Sequence, residues 1–458
     1  MIVYKERIAS IDILRGIAIA GMILCANIGF NSGLPAWMFH AQTPPPTYAF
    51  DPTCAGLTWV DLVFPFFLFP MGAAFPFAMR KRIESGQSLW KIILGLVKRW
   101  LILTCFALLL GNAYSVSATA QPAWQVYIYM IALWAGMFMS LVRIKGKTGN
   151  ILNISGILAI CLLGVIHVKW FGIPLDKGKC DIIIMILANV SLWGGLIWLL
   201  TRDNTRLRWL VFLLAAALKA MDSYIPETLS IIPSTDSISW FFTWDWLQYL
   251  LIVIPSSVVG DRILAYSRSG EPATIDNKGV AAGAIALAAM LIQLWGLYTR
   301  NVTADFIISA VLAAIFIILT FKSRNIYTFT AYTGFALMLT GIVFDPIDGG
   351  ITKDYCNISY LLTTGGMAAL VTSFLLMLEI RFNVRQRFLA GVGQNPMIAY
   401  TITSFLIGPI LNLIGAYGLL SSLSEGSQFW GVVQGVIITG LMMIFTYMFT
   451  KLKLFWRS

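Results

Sequence analysis

The stretch that decides the fold is Gly56-Leu-Thr-Trp-Val-Asp-Leu-Val-Phe-Pro-Phe-Phe-Leu-Phe-Pro-Met-Gly72. It runs on into further apolar residues and so predicts a membrane-spanning helix, which needs about 20 such residues. Pro65, Pro70 and Pro76 each remove a backbone donor, so this helix should be kinked and locally polar. Asp61 lies about one turn inside the run, where a carboxylate is costly and therefore a functional candidate. A buried polar residue that only fixes helix packing is the structural alternative.

The composition of the whole chain is that of a polytopic membrane protein. Of its 458 residues, 58% are hydrophobic and 12% are charged, whereas soluble domains carry about 25% charged residues. About 14 apolar runs, among them 182–201, 208–222 and 326–344, are candidates to cross a bilayer, so we predict an all-α transmembrane bundle of about 11–14 spans. No long polar stretch interrupts the runs. We predict a single membrane domain over 1–458, with a motif-bearing core at 1–112 and an external loop at 31–56.

The net charge of +11 is a topology signal. Basic residues, including Lys5, Arg7, Arg324 and Arg457, cluster in alternate short loops, and the intervening loops hold few. This is the positive-inside pattern, which predicts that both termini face the cytoplasm. The distribution argues against nucleic acid as a partner. The first apolar run is too long for a signal peptide, so we expect a permanent span.

The chain has two histidines, and one of them lies in the loop that leads into the span containing Asp61. His40 lies in the proline-rich loop before Asp61, and histidine is the commonest general base near neutral pH. Asp61 beneath it could fix its tautomer and stabilise its protonated form; an ordinary loop histidine is the alternative. Asn27, near the external end of the first span, should lie at a depth similar to that of Asp61. His167 ends a span beside Lys169 and is predicted to be an interfacial residue.

A group of basic residues is predicted at the cytoplasmic mouth of the bundle. Asp12 and Arg15 are three residues apart in the first span, which is a pairing distance in a helix. Topology and anionic headgroups explain most of the group. A phosphate-binding mouth for a nucleotide-bearing donor is the sharper hypothesis. Its candidate residues are Arg15, Arg80, Arg82, Lys98 and Arg99.

A second polar cluster precedes a late span. The segment Asp345-Pro-Ile-Asp-Gly-Gly-Ile-Thr-Lys-Asp354 contains Lys353, one of few basic residues predicted on the external side. With neighbouring carboxylates such as Asp348, Lys353 could hold a polar or charged substrate. A solvated loop fits the same residues equally well.

Parts of the sequence resemble the heparan-α-glucosaminide N-acetyltransferase family of membrane acyltransferases and its bacterial relatives. The matching pieces are Arg7–Gly16, Asn27 and Gly56–Gly72, with weaker echoes at Lys353–Thr363 and Gly393–Pro396. The resemblance implies that acetyl is taken from acetyl-CoA on the cytoplasmic side and delivered to a terminal glucosamine amine across the membrane. It also implies a bacterial inner membrane as the location.

The same resemblance assigns roles to individual residues. It places Asn27 and Asp61 on active-site positions of the family. Asp51 occupies the position of the family's catalytic histidine, so His40, earlier in the same loop, is the candidate replacement. This substitution leaves open a different acceptor, such as a sugar hydroxyl.

We therefore predict a membrane acetyltransferase that uses acetyl-CoA and needs no metal. His40 would act as the base, Asp61 would orient it, and Asn27 would donate a hydrogen bond to the thioester oxygen. The predicted partners are an amino sugar or glycan acceptor and membrane lipids, and a homodimer stays open. The candidate substrate contacts are Asp51, Lys353 and Asp348.

Two other functions compete with this prediction. A secondary transporter or a lipid-linked sugar flippase would also use kinked helices and buried carboxylates. Scarce intramembrane acids outside the Asp61 region and the lack of a detected repeat favour the enzyme. A non-catalytic sensor or scaffold is disfavoured by the buried Asp61.

Overall fold

The chain folds as α-helices throughout the part that the structure describes. This computed structural model describes residues 8–44, 46–119, 122–225, 243–269, 274–323 and 325–456. Within them the extended pairing is one isolated bridge between Val142 and Trp456, so the predicted all-α class is confirmed. The helices are α1 (Ala9–Asn27), α2 (Trp59–Ala73), α3 (Phe75–Glu84), α4 (Leu89–Thr119), α5 (Ala123–Leu141), α6 (Lys147–Lys169), α7 (Ile182–Thr201), α8 (Thr205–Tyr224), α9 (Trp244–Leu247), α10 (Leu250–Ser269), α11 (Asn277–Thr299), α12 (Val302–Thr320), α13 (Ile326–Phe344), α14 (Ile358–Phe382), α15 (Arg387–Gly393), α16 (Pro396–Ile402), α17 (Gly408–Leu413), α18 (Ala416–Ser424) and α19 (Gln428–Lys451).

Thirteen helical segments within the described residues are long and apolar enough to cross a membrane. This number lies within the predicted range, and the protein is a polytopic membrane protein. The run predicted at 208–222 is absent from the thirteen, although α8 forms there as a 20-residue helix. Its ends carry Arg206, Arg208, Lys219 and Asp222, which give it a more polar composition than the other long helices.

The predicted orientation of the termini stays a prediction. Several residues that support it, namely Lys5, Arg7, Arg324 and Arg457, lie outside the described residues. The same holds for Arg7 as part of the family resemblance.

The helices form two compact units, each assembled from separate stretches of the chain. The first comprises Met1–Ala18, Pro35–Lys98 and Asn189–Ala390. The second comprises Ile19–Leu34, Arg99–Ala188 and Gly391–Ser458. Neither unit is therefore a continuous sequence domain.

The core of the first unit is built from α2, α10, α13 and α14. Small residues let these helices approach closely, because a Cβ at Gly72 would overlap Ser256 of α10 and a Cβ at Gly366 would overlap the backbone of Met338. The span that contains α14 is 83% buried, the largest share among the thirteen candidate spans. This packing brings the N-terminal turn of α14 to the N-terminal turn of α2.

The irregularity predicted for the second span is a break between α2 and α3. The two helices together form one candidate span, Trp59–Glu84, and Ala74 separates them. Pro76 lies at the start of α3 and lacks the N–H that would continue the helical hydrogen-bond ladder back to Gly72. The break lies about 20 Å along the helix from Asp61, at a rise of about 1.5 Å per residue.

The second unit has a simpler frame. In it α5 and α6 form a helical hairpin, and Gly156 of α6 meets the backbone of Ser140. A π-helical segment, Thr403–Ile407, joins α16 to α17. The indole of Trp134 donates to Thr401 Oγ1 at 3.2 Å and thereby fastens α5 to α16.

Candidate active site

The first feature of the site is the N-terminal turn of α2, which holds a buried carboxylate. Thr58 is the residue that caps this helix, and Asp61 is its third helical residue. The Thr58 N–H donates to Asp61 Oδ2 at 2.9 Å, and the Thr58 hydroxyl lies 3.2 Å from the same oxygen. The residue Asp61 is 0% exposed. A carboxylate at the third helical position reaches back to the cap in this way and also interacts favourably with the helix dipole.

The loop before α2 closes over this carboxylate and brings His40 to it. The Thr58 hydroxyl donates to the carbonyl oxygen of Phe39 at 2.7 Å. The Ala41 N–H donates to Asp61 Oδ2 at 3.2 Å. His40 Nδ1 lies 2.7 Å from Asp61 Oδ1. The backbone on both sides of His40 is therefore tied to the same helix turn as its side chain.

This contact determines which ring nitrogen of His40 is available. An ionised carboxylate only accepts hydrogen bonds, so Nδ1 carries the proton that faces Asp61. In the neutral ring Nε2 then keeps its lone pair as an acceptor. The His40 side chain is 37% exposed, whereas that of Asp61 is fully buried. The pair thus has a closed side and an accessible side.

Lys353 is the third member of the cluster. Its Nζ lies 3.1 Å from Nδ1 and 3.4 Å from Nε2 of His40. Because Nδ1 donates to Asp61, the ring atom that can accept from the ammonium is Nε2. The sequence predicted Lys353 as a substrate contact in a separate loop, and it contains no local signal that places this residue beside His40.

Two loops interlock to hold the cluster. Gln42 is 0% exposed, and its side chain donates to the carbonyl of Cys54 at 2.9 Å. The Gly56 N–H donates to the carbonyl of Ile351 at 2.9 Å. The first bond closes the loop that carries His40, and the second joins this loop to the segment that carries Lys353.

Arg300 also stabilises the contact between these two segments, and the sequence did not mark it as a candidate site residue. Its guanidinium makes two bonds of 2.9 Å to the carboxylate of Asp345. Asp345 Oδ1 also accepts from the Ile351 N–H at 2.8 Å. Arg300 ends α11 with φ +59°, a left-handed conformation that a residue in a helix cap can adopt. Neither a motif nor a hydropathy signal marks this residue.

Tyr360 is a further residue of the site, and in the sequence it belongs only to the weakly matching segment Lys353–Thr363. Its hydroxyl donates to the backbone carbonyl of Asp61 at 2.9 Å. Tyr360 is 0% exposed and lies in the first turn of α14. The backbone and the side chain of Asp61 are therefore both held by groups from outside α2.

The comparisons with known proteins bear on this site. A family model described as "Domain of unknown function (DUF5009)" matches residues 7–263, which is more than half of the chain. The chain belongs to this family. The DUF5009 match includes His40 and Asp61, whereas Lys353 and Tyr360 lie beyond it.

A curated relative of this DUF5009 protein has a named activity. Human heparan-alpha-glucosaminide N-acetyltransferase (Homo sapiens) is 29% identical to it over 106 residues, which cover 23% of the chain. The match spans only 14% of the human protein. The DUF5009 chain is thus distantly related to an acetyltransferase, and a whole activity does not transfer from so short a match.

Both acidic residues predicted to contact substrate, Asp51 and Asp348, accept hydrogen bonds from backbone N–H groups of the DUF5009 protein. Asp51 Oδ1 accepts from the N–H and the hydroxyl of Thr53 at 2.9 and 2.6 Å, and these bonds lower the pKa of the Asp51 carboxyl. Asp348 accepts from the Ser359 N–H at 2.8 Å at the start of α14 and from the Tyr224 hydroxyl. Their roles toward a substrate stay predictions.

Among the predicted phosphate contacts, Arg15 is the most enclosed. It pairs with Asp12 at 3.2 Å and donates to the carbonyl of Pro70 at 3.2 Å. Pro70 lies about 13 Å along α2 from Asp61, at a rise of about 1.5 Å per residue. Arg15 therefore lies partway down the first unit, away from the His40 cluster.

The other predicted phosphate contacts differ in their partners. Arg80 pairs with Asp203 at 3.1 Å. Arg82 donates to Gln87 at 2.8 Å, and its guanidinium lies against Gly95, one helical turn before Lys98. Within the described residues, neither Arg82 nor Lys98 has a carboxylate within 4.0 Å. Lys98 and Arg99 are both exposed, and Arg99 belongs to the second unit.

The remaining predictions concern the second unit. Asn27 belongs to it and donates from Nδ2 to the Ile23 carbonyl of its own helix at 2.8 Å, and its proposed catalytic role stays a prediction. The interfacial position predicted for His167, at the end of α6, stays a prediction. The residue is 1% exposed, and its Nδ1 lies 3.2 Å from the hydroxyl of Tyr129. Packing of α5 against α6 therefore covers this side chain.

Proposed function

We propose that this protein is a membrane-embedded acetyltransferase that moves acetyl from cytoplasmic acetyl-CoA to an amine or hydroxyl of an extracytoplasmic amino sugar or glycan. One observation supports this proposal above the others. His40 Nδ1 is bonded to the buried carboxylate of Asp61 at 2.7 Å, and Nε2 remains as a base on the accessible side. The distant relationship to a human N-acetyltransferase agrees with acyl transfer as the reaction class.

The cluster can perform the proton transfers that acyl transfer requires. Once the ammonium of Lys353 has turned from Nε2 toward the thioester oxygen, His40 Nε2 would accept the proton of the attacking amine or hydroxyl as the new bond to the acetyl carbon forms. His40 would return this proton to the sulfur as the carbon–sulfur bond breaks. Asp61 would hold the ring in the Nδ1-protonated tautomer and stabilise its charged form. No net proton is gained or lost by the protein.

The negative charge that develops on the thioester oxygen needs a donor. Lys353 places an ammonium 3.4 Å from His40 Nε2, next to the position where the reacting groups would meet. A preorganised positive group at such a position stabilises an oxyanion. Asn27 is the second proposed donor, as the family resemblance implies.

The phosphates of acetyl-CoA would bind to basic residues near the end of the span Trp59–Glu84, opposite the end that holds Asp61. Arg82 and Lys98 are the best candidates because the Arg82 guanidinium lies against Gly95, one helical turn before Lys98, and no described carboxylate lies within 4.0 Å of either side chain. Arg80 is already paired with Asp203. Arg15, Arg80 and Arg99 remain secondary candidates.

A direct assay decides between this proposal and its main alternative. The purified protein would be incubated with acetyl-labelled acetyl-CoA and a panel of amino sugars and glycans, and labelled acceptor would be measured. In parallel, CoA should raise the melting temperature; a ligand at 100 times its Kd stabilises by about 2.7 kcal/mol. A secondary transporter or lipid-linked sugar flippase would produce no labelled acceptor and would not respond to CoA. Those two results together would reject the enzyme.

A further inference from the structure

The backbone of Asp61 contains an irregularity that the sequence imposes. In an α-helix the carbonyl of residue i accepts from the N–H of residue i+4. For Asp61 that residue is Pro65, which has no N–H. The helix itself therefore leaves the Asp61 carbonyl without its usual donor. Asp61 and Pro65 are both buried, so water does not replace the missing donor.

Tyr360 supplies the missing donor from another helix. Its hydroxyl lies 2.9 Å from the Asp61 carbonyl oxygen. The position of Tyr360 is fixed in turn, because its N–H donates to the side chain of Asn357 at 3.1 Å. The side chain of Asn357 also donates to the Gly350 carbonyl at 2.8 Å. Tyr360 is thus anchored to the segment that carries Lys353.

This arrangement links the two partners of His40. Asp61 holds Nδ1 from α2, and Lys353 reaches the ring from the segment before α14. The Tyr360 bond joins the first turn of α2 to the first turn of α14, so it sets the spacing between the carboxylate and the ammonium. In a helix without a proline at position 65, the N–H of residue 65 would donate to the Asp61 carbonyl. The carbonyl would then depend less on the Tyr360 hydroxyl.

We propose that Pro65 and Tyr360 act as a pair that positions the His40 cluster. Pro65 frees the Asp61 carbonyl, and the Tyr360 hydroxyl uses it to lock the Asp61 turn against the Lys353 segment. Tyr360 is a positioning residue, since it contacts Asp61 and not the imidazole or a reacting group. The catalytic consequence rests on the proposed acetyltransferase function, whereas the effect on the imidazole does not.

The test is a set of matched substitutions. Tyr360→Phe removes only the hydroxyl and leaves the Asp61 carbonyl without a donor. Pro65→Ala restores an N–H that can donate to this carbonyl, which has room for two donors. The double variant Pro65→Ala/Tyr360→Phe should therefore regain the thermal stability that Tyr360→Phe loses, but it still lacks the bond between α2 and the segment that carries Lys353. Pro70→Ala, at the other buried proline of α2, frees no donor for Asp61 and is the control partner for Tyr360→Phe.

The primary measurement is the ¹⁵N spectrum of histidine-labelled protein in nanodiscs. The chain has two histidines, and the signal missing from His40→Ala belongs to His40. The two nitrogen shifts of an imidazole show which nitrogen carries the proton. We expect the Nδ1-protonated form in the wild type and a mixture in both Tyr360→Phe and Pro65→Ala/Tyr360→Phe, because neither variant has the bond to the Lys353 segment. The melting temperature should recover in the double variant alone. The second measurement is kcat, which should fall about tenfold in Tyr360→Phe, a change of about 1.36 kcal/mol in the barrier, with KM for acetyl-CoA unchanged.

Several results would overturn the proposal. They are an unchanged imidazole signal in Tyr360→Phe, a wild-type imidazole signal in Pro65→Ala/Tyr360→Phe, or a melting temperature that recovers no more with Pro65→Ala than with Pro70→Ala. If Pro65→Ala does not fold, Pro65→Val restores the same N–H and fills more of the space of the ring. A wild type that transfers no acetyl would reject the proposed function, and the imidazole signals would still decide the role of Tyr360 and Pro65.

Discussion

The two ends of the span Trp59–Glu84 use carboxylates in opposite ways. At its start, Asp61 is buried and accepts from Thr58, Ala41 and His40. At its end, Glu84 is exposed and is paired with Arg268 at 2.6 Å. The first carboxylate has no access to water and depends on its protein donors, whereas the second can exchange its partner for solvent.

This difference shows where charge matters in the molecule. Exposed ion pairs are screened by solvent and contribute little to stability. When a buried carboxylate or one of its hydrogen-bond donors is removed, the polar groups that remain are desolvated and have no partner. The same kind of residue is therefore replaceable at one end of the span and essential at the other. Substitutions at the two ends test this contrast.

The largest effect is expected for Asp61→Asn. The amide occupies the same space, but its NH₂ group faces the N–H donors of Thr58 or Ala41, or the Nδ1–H of His40. We expect kcat to fall about 10³–10⁴-fold, as for an aspartate that orients a catalytic histidine, and unfolding free energy to fall by about 1–3 kcal/mol. Acetyl-transfer kinetics and thermal melts measure the two effects.

Glu84→Gln is the matched control, because it makes a corresponding change from carboxylate to amide at the exposed end. It should leave both kcat and the melting temperature at wild-type values. If Asp61→Asn only lowers expression and the purified protein keeps its turnover, Asp61 serves packing, and the contrast between the two ends is one of stability alone.

His40→Ala should abolish the base while leaving the carboxylate turn in place. The expected loss in kcat is about 10²–10⁴-fold, the contribution of a general base, with CoA still raising the melting temperature. His167→Asn, at the other histidine, should retain turnover. Normal turnover in His40→Ala would return the role of base to Asp51 or to another residue.

Lys353→Met should have an intermediate effect. Methionine retains most of the side-chain length but removes the ammonium beside His40 Nε2. We expect kcat to fall about 10- to 100-fold if the charge stabilises the developing oxyanion. Lys353→Arg, which keeps a positive charge, should retain more activity than Lys353→Met. A change in the acceptor KM alone would instead identify Lys353 as a substrate contact.

The smallest effect is expected at the basic residues Arg82 and Lys98, the proposed phosphate contacts. Arg82→Gln and Lys98→Gln should each raise the KM for acetyl-CoA about 3- to 10-fold, because each removes one charge-assisted contact to phosphate. The value of kcat should not change. Arg80→Gln is the comparison, since Arg80 already has the carboxylate of Asp203 as a partner. Three variants with wild-type KM values would place the CoA phosphates elsewhere.

The positions of most long helices of this protein could be predicted from the local sequence. Apolar runs predicted the spans within a few residues of the helices observed, as at α7 and α13. The helix α8 also lies within a few residues of its predicted run, but it is not a candidate span, because four charged residues lie near its ends. His167 shows the limit of such patterns, since the end of a run does not reveal which neighbouring helix covers a side chain.

The site was predictable only in part. Asp61 and His40 are 21 residues apart in one loop-and-helix segment, and the cost of a carboxylate in an apolar run marked the first of them. Lys353 is 313 residues from His40. Arg300 carried no signal, because a basic residue after a helix is common in any sequence.

The amino-acid sequence by itself determined that this is a helical membrane protein, that a carboxylate lies within its second span, and that Pro65 deprives the carbonyl of Asp61 of its helical donor. Hydropathy, capping and the chemistry of proline act over a few residues and need no knowledge of the fold. Tertiary structure alone decided that the hydroxyl of Tyr360, 299 residues away, takes that carbonyl. It also decided that Lys353 reaches His40, because helix packing, through small residues such as Gly366, selects which distant turns meet.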